Sequence, residues 1–127
     1  MSTTHYNENA WLNATLRNVT YTSPANVYAA LYSTAPTAST SGTELTGNGY
    51  SRQLTTFSSP SSGSISSNVT VTFGPATGNN WPTAVAIGIT DASTSGNILY
   101  YETITNTNIR VGSSVKFDSG QITITIT

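Results

Sequence analysis

The sequence contains no cysteine, a single histidine and few charged side chains. Without cysteine no disulfide is possible and the redox compartment cannot be inferred, and one histidine cannot supply a zinc site. Charged residues make up 7% of the chain, against an average near 25%. The four basic residues are scattered, so the charge pattern gives nucleic acid no electrostatic footprint. We therefore predict no metal, no cofactor and no nucleic-acid partner.

Long apolar runs are also missing. No stretch approaches the roughly 18 apolar residues that a membrane-spanning helix requires. Residues 1–10 have neither the basic start nor the apolar stretch of a signal peptide. We expect a protein that is made in the cytoplasm and has no membrane partner.

Groups that support catalysis are too few to indicate an enzyme. The only histidine, His5, falls in a predicted N-terminal arm, and a Ser-His-Asp arrangement would have to be built around it. Asp91 and Asp118 each open a turn that ends in glycine, where aspartate commonly bonds its own backbone. No loop offers even two of the acidic side chains that a calcium site needs. We predict a non-enzymatic protein without catalytic, cofactor-binding or metal-binding residues.

Serine, threonine, asparagine and glycine fill the space that charged residues leave, and the chain is organised around residues 81–101. Two runs rich in β-forming residues, 83–90 and 98–103, flank the turn-rich connection 91–97. This arrangement predicts a β-hairpin. Because neither face of its first strand is polar, we expect the hairpin to lie in the interior of a sheet.

The two faces of this first strand differ in side-chain size. Alternation along a strand places three bulky residues on one face, which we expect to meet a second sheet: Val85, Ile87 and Ile89. The opposite face carries three small residues, which allow another element to approach closely: Ala84, Ala86 and Gly88.

Further segments show strand patterns: residues 27–33, 50–57, 68–73, 109–111, 114–117 and 121–127. The C-terminal segment alternates most strictly and should turn three isoleucines to the core: Ile122, Ile124 and Ile126. Since its exposed threonines would make an open edge a template for pairing, we expect this strand to be paired, in the chain or with another subunit. Six to eight such strands predict a single all-β domain over residues 1–127, an antiparallel β-sandwich of immunoglobulin-like or jelly-roll-like type.

One short helix is predicted near the N-terminus, over residues 8–18, with Asn7 or Asn9 as its cap. Leu12, Leu16 and Val19 form one apolar stripe on it. Because an isolated helix of this length is marginal, it should dock on the small face of the central strand or on a neighbouring subunit. Residues 1–18 would thus form an N-terminal arm and helix.

Five residues are candidate partner contacts: Trp11, Leu12, Leu16, Ile65 and Trp81. Ile65 lies in the low-complexity stretch 58–67, which is either a flexible surface loop or a protein-contact loop anchored by this residue. Trp81, at a strand entry beside Pro82, is the fairest candidate for an exposed ring, with a contact or core-lid role preferred to sugar stacking.

Several motifs taken in order resemble a group of small structural proteins of tailed bacteriophages, often labelled tail-fibre-like or virion proteins. The most informative are V-Y-A-A-L-Y at 27–32 followed by Ala35-Pro36, G-Y-S-R-Q at 49–53, and D-A-S-T-S-G-N-I-L at 91–99. The likeness extends from Glu8 to the C-terminal Ile-Thr segment. One departure is Pro82, where the family tends to have glycine after tryptophan, which affects the local turn. The family brings no catalytic motif.

The resemblance implies a virion component made in the bacterial host cytoplasm. A compact domain without a coiled-coil or stalk fits a capsid decoration (cement) protein that contacts the major capsid protein or other virion proteins, often as a trimer. This is the preferred interpretation. A tail or tail-fibre-associated component is the second, and a carbohydrate-binding module for host adsorption is the third.

Overall fold

The computed structural model describes residues 1–126, and within them it contains one helix and ten strands. In chain order the elements are β1 (Ser2–Thr3), α1 (His5–Leu16), β2 (Val27–Thr34), β3 (Thr43–Glu44), β4 (Gln53–Thr55), β5 (Ser64–Ser66), β6 (Val71–Phe73), β7 (Trp81–Thr90), β8 (Ile98–Ile109), β9 (Val115–Phe117) and β10 (Thr123–Thr125).

The predicted hairpin is confirmed as the centre of the main sheet. β7 and β8 pair antiparallel, and β2 pairs with the other side of β7. The described strands of this sheet follow the order β1-β8-β7-β2-β3, and β4 also pairs with β2. All of these pairings are antiparallel.

Two antiparallel ladders, β5 with β10 and β6 with β9, cover one face of this sheet. The main sheet contributes Leu31, Ile87 and Ile89 to the core between the layers. The second layer contributes four buried residues, of which Ile122 directly precedes β10: Val71, Phe73, Ile122 and Ile124. An all-β sandwich-like fold with a short N-terminal helix is therefore confirmed, and the bulky face of the central strand does meet a second layer. The extent of the domain, residues 1–127, stays a prediction.

The alternation of side chains along β7 is interrupted, contrary to the sequence prediction. The pairing with β8 shifts register between Ala84 and Ala86, as at a β-bulge. Ala84 therefore belongs to the core with Ile87, whereas Val85 packs on the opposite face beside Ala86. The predictions that Val85 shares the core face and that Ala84 opposes it are both wrong, because a bulge reverses the faces of the residues before it.

The helix begins three residues before its predicted start. Thr4 is the N-cap, and its hydroxyl accepts a hydrogen bond from the N–H of Asn7 and donates one to the carbonyl of Ile98. The helix ends at Leu16, so Val19 lies outside it. It packs beside β8, where the Trp11 and Tyr100 rings lie 6.0 Å apart, and the expected docking on the small face of β7 is wrong.

The serine-rich stretch contains β5 and is anchored by its ladder with β10. Side-chain hydroxyls pair across this ladder, Ser64 with Thr125 at 3.0 Å and Ser66 with Thr123 at 3.1 Å. The expectation of a paired C-terminal strand is thus met within the chain. Ile126 is 55% exposed, so its predicted core position is wrong. Thr127, the last residue of the predicted strand, lies outside the described residues.

Candidate functional site

A bidentate ion pair between Glu44 and Arg52 is the main charged feature beside the turn that joins β7 and β8. Arg52 Nε donates to Oε2 of Glu44 at 2.9 Å, and Nη2 donates to Oε1 at 2.8 Å. Glu44 ends β3, and Arg52 precedes β4, so the pair joins the two short strands that follow one another along the edge of β2 opposite β7. The Arg52 side chain is 10% exposed, which excludes much of the water that would weaken the pair.

Tyr50 completes the coordination of this carboxylate. Its hydroxyl donates to Oε2 of Glu44 at 2.7 Å and accepts from the N–H of Leu31 at 3.0 Å. Burial by itself would raise the pKa of Glu44, but the hydrogen bonds from Arg52 and Tyr50 outweigh it and lower that pKa below its usual value. Glu44 is therefore ionised at neutral pH. Burial, followed by the hydrogen bond to Glu44, strongly raises the pKa of Tyr50, which stays a donor.

The second amino group of Arg52 holds the hairpin connection in place. Nη1 donates to the carbonyls of Ala92 and Ser95, both at 2.7 Å, and to the Thr90 hydroxyl at 3.3 Å. Since Arg52 is bound to Glu44 on its other side, the loop between β7 and β8 is tied to the opposite edge of the sheet. One guanidinium thus links the end of β3, the start of β4 and the loop between β7 and β8.

Tyr32 lies beneath this network on the face of the sheet away from the main core. It is 2% exposed, and its hydroxyl has no hydrogen-bond partner among the described residues. Burial, with a smaller effect from the Glu44 charge, raises the pKa of Tyr32 to about 12, so the hydroxyl keeps its proton at neutral pH. The ring lies against Gly88, where an added Cβ would come within 2.9 Å of Cε1 of Tyr32.

Two depressions flank the Glu44–Arg52 pair. One, about 290 Å³, lies towards the 45–51 turn. The other, about 240 Å³, we call the Tyr32 cleft, and it is bounded mainly by Tyr32, Ser41, Gly42, Glu44, Arg52 and Gly96. Both are open to solvent; the first is lined mostly by apolar surface, and the second by polar and apolar surface in about equal parts.

A second surface lies at the N-terminus, where large apolar side chains are left uncovered. Five of them form what we call the N-terminal apolar surface: Tyr6, Leu12, Leu16, Val19 and Tyr21. Leu16 is 77% exposed and Leu12 is 55% exposed. The helix and the segment after it are joined by the bond from the N–H of Val19 to the carbonyl of Asn13, at 3.1 Å. Tyr6, Val19 and Tyr21 line one shallow depression, whereas Leu12 and Leu16 lie on another side of the helix, about 120° around the axis from Tyr6 to Leu12. Exposed large apolar side chains of this kind are typical of protein contact surfaces.

The five predicted contact residues do not come together. Leu12 and Leu16 are exposed on the helix, and Trp11 is partly buried against Tyr100. Ile65 packs against the core from β5 and does not project as a loop anchor.

Trp81 is only 5% exposed, and its Nε1 donates to the carbonyl of Asn48 at 2.7 Å. The ring packs edge-on against Tyr50 with centroids 5.6 Å apart. Trp81 is therefore a core residue, and the interpretation as an exposed ring is wrong.

The ionic network was missed in the sequence because its members are separated along the chain. Glu44 and Arg52 are eight residues apart and carry no spacing that marks a known site. A usable signal was present, since Tyr50 and Arg52 both fall in the 49–53 motif that carries the family resemblance. In a chain with so few charges, an arginine placed between strand residues points to a buried partner.

Within residues 1–126, no set of three or more histidine, aspartate or glutamate side chains is placed to hold a metal ion. Over the same part of the chain, no helix is both long enough and apolar enough to cross a membrane.

Comparison with known proteins gives one family. A family model described as Podophage GP4 fiber I protein gp80 matches residues 2–125. A comparison with curated proteins found no match. The matched range includes the N-terminal strand and helix as well as both layers of the sandwich.

Proposed function

The chain belongs to the Podophage GP4 fiber I protein gp80 family of tailed-phage virion structural proteins, and we propose that it is a tail-fibre subunit that works through contacts with neighbouring subunits. The family makes the protein a fibre-type structural component of a virion. Its place at the tail and its mode of contact form the proposal.

The observation that carries the proposal is the N-terminal apolar surface. The sandwich has its own core, yet Leu12 and Leu16 remain exposed on a helix that contacts the sheet through other residues. These two leucines, one helical turn apart, gain free energy only when another surface covers them, at about 25 cal/mol per Å² of apolar area removed from water. The family match begins at residue 2 and so includes this helix.

We propose a second copy of this chain as the occupant of the N-terminal apolar surface. With a formal net charge of -1, two copies repel each other little. Glu8 lies in the first turn of the helix and Arg17 at its C-cap. At about 3.6 residues per turn, Glu8 and Arg17 lie on opposite sides of the helix, so the proposed contact between copies rests on Leu12 and Leu16. The trimer that the resemblance implies stays a prediction.

Capsid decoration, preferred on the sequence, is the alternative location. The compact domain and the lack of a stalk sequence favoured the capsid location. The matched family, in contrast, is described as a fibre protein. The two locations differ in copy number because capsids and tails have different symmetry.

Gold labelling and quantitative gel densitometry of purified particles test the location. A tail-fibre subunit should be labelled at the tail only, with copies on the order of tens per particle. Labelling over the whole head, with copies on the order of hundreds, would establish decoration and overturn the tail location. An antibody against the major capsid protein gives the matched control for access to the head surface.

A further inference from the structure

We propose that neighbouring copies of the chain exchange their N-terminal segments, residues 1–16, so that the segment of one copy binds to the sheet of the next. The inference rests on the proposed function, because the contact through Leu12 and Leu16 is what brings copies together. It adds a second interface, formed by the side of the segment that faces β8. We call the binding site on each copy the β8 seat, and it comprises Ala38 and residues 98–101.

The β8 seat holds the segment mainly through its backbone carbonyls. The N–H of Thr4 donates to the carbonyl of Leu99 at 3.1 Å, and the Thr4 hydroxyl donates to the carbonyl of Ile98 at 2.6 Å. The N–H of His5 donates to the carbonyl of Ala38 at 3.0 Å. Every copy offers the same carbonyls, so an identical segment from a neighbour makes the same contacts. Exchange of an identical element is for this reason a low-cost way to join subunits.

The linker that follows the segment is open enough to cross between copies. Residues 17–26 join α1 to β2, and all of them except Pro24 are exposed. Within residues 1–126, the part 20–26 forms no backbone hydrogen bond. Ser23 precedes a proline, which favours extended backbone. Extended, these seven residues span about 23 Å, whereas helices in contact lie about 8–10 Å apart. The linker therefore reaches an adjacent copy without breaking a strand pairing.

The sandwich does not need the segment of its own chain in order to keep its core. The buried residues of the main core all lie between Ala29 and Ile124. Asn7, in the segment, is 1% exposed, and its Oδ1 has no hydrogen-bond partner among the described residues. An unpaired buried acceptor opposes burial, so part of the free energy gained in the seat is lost. The segment can thus leave its seat while the sandwich stays folded.

Exchange forms no contact that the single chain lacks. The balance between the two arrangements is therefore set by the linker and by the local concentration of neighbouring seats. In dilute solution the chain keeps its own segment. In an assembly that the helix contact holds together, seats of other copies lie within reach of each linker, and exchange ties the copies to one another.

Disulfide trapping tests the exchange, because the chain has no native cysteine. Ser2 and Tyr101 oppose each other in the β1–β8 ladder. Opposed residues have Cα atoms about 4.5–5.5 Å apart, which a disulfide can bridge. The double variant Ser2→Cys, Tyr101→Cys is oxidised at the concentration at which wild type is an oligomer and run on a non-reducing denaturing gel. Most of it should migrate as two or more linked chains, and mass spectrometry should place the link between positions 2 and 101. A band of single chains alone overturns the exchange, as do multimers linked elsewhere.

The matched control is Ser64→Cys, Thr125→Cys. These two residues oppose each other in the β5–β10 ladder, which lies outside the exchanged segment, so this variant should give single chains only. If circular dichroism shows that the first variant does not fold, the next opposed pair, Thr3→Cys with Tyr100→Cys, takes its place.

Light scattering on the same samples separates this inference from the proposed function. An oligomer whose gel shows only single chains overturns the exchange and leaves the contact through Leu12 and Leu16 in place. A monomer whose gel shows only single chains overturns both.

Discussion

Arg52 binds Glu44 through two parallel hydrogen bonds, with Nε–Oε2 and Nη2–Oε1 distances of 2.9 and 2.8 Å. The chain has only four basic and five acidic residues, and this pair takes one of each. Because Arg52 also binds the loop between β7 and β8, the pair fixes the connection of the central hairpin.

Replacing Arg52 by lysine should destabilise the fold. Lysine keeps the charge but cannot reproduce the fork that binds Glu44 and two loop carbonyls together. We expect Arg52→Lys to lower the free energy of unfolding by about 2–4 kcal/mol, measured by urea denaturation. Lys116→Ala is the control, because the Lys116–Asp118 pair is largely exposed and should change stability by less than about 1 kcal/mol. Similar losses in both variants would contradict the structural role of Arg52.

Acid should weaken the fold through Glu44. Its pKa in the folded chain is below the ordinary value of 4.5, so its contribution is present above that value and is lost as the pH falls through the folded pKa. We expect the free energy of unfolding of wild type to decrease between about pH 5 and pH 3 more steeply than that of Glu44→Gln. Urea denaturation at several pH values measures both curves. Parallel curves would show that Glu44 contributes nothing in this window.

Trp81→Ala should unfold the chain more readily because the ring is part of the core. We expect a loss of about 3–5 kcal/mol in the free energy of unfolding, from the cavity and from the lost bond to Asn48. Trp11→Ala removes a ring that is only partly buried on the helix, and it should cost about 1–2 kcal/mol. Chemical denaturation compares the two. If Trp81→Ala leaves the free energy of unfolding nearly unchanged, the ring is not part of the core.

The double variant Leu12→Ser, Leu16→Ser should keep the fold and lose self-association. Both side chains are exposed, so circular dichroism and thermal unfolding should change little. If a second copy covers the helix, light scattering should show wild type as an oligomer and the variant as a monomer at the same concentration. Asn9→Ser, also exposed on the helix, should behave as wild type. A variant that associates as tightly as wild type contradicts the proposed contact.

Local patterns in the sequence were enough to predict the sandwich and its central hairpin. Residues 83–90 and 98–103 have alternating or continuous apolar patterns bounded by turn residues. They lie in the two longest strands, β7 and β8. The bulge that turns Ala84 inward could not be predicted, because it depends on pairing with β8 and not on residues nearby.

The start of the helix and the Glu44–Arg52 pair could not be predicted from the sequence. Thr4 caps the helix by bonding both Asn7 and a carbonyl of β8, and only the second contact selects it over the asparagines that the sequence favoured. Glu44 and Arg52 meet because β3 and β4 both pair with β2. Contacts of this kind depend on which strands pair with each other in the sheet. The local pattern of one sequence does not show that arrangement.

The shifted register between β7 and β8 also bears on how copies can join. Among residues 1–126, the outer side of β8 is paired only by the two-residue strand β1, at Tyr100 and Tyr101. Bulged edges twist out of plane and do not offer a straight template to an incoming strand. Unlimited lengthening of the sheet into an amyloid-like ribbon is therefore disfavoured at this edge.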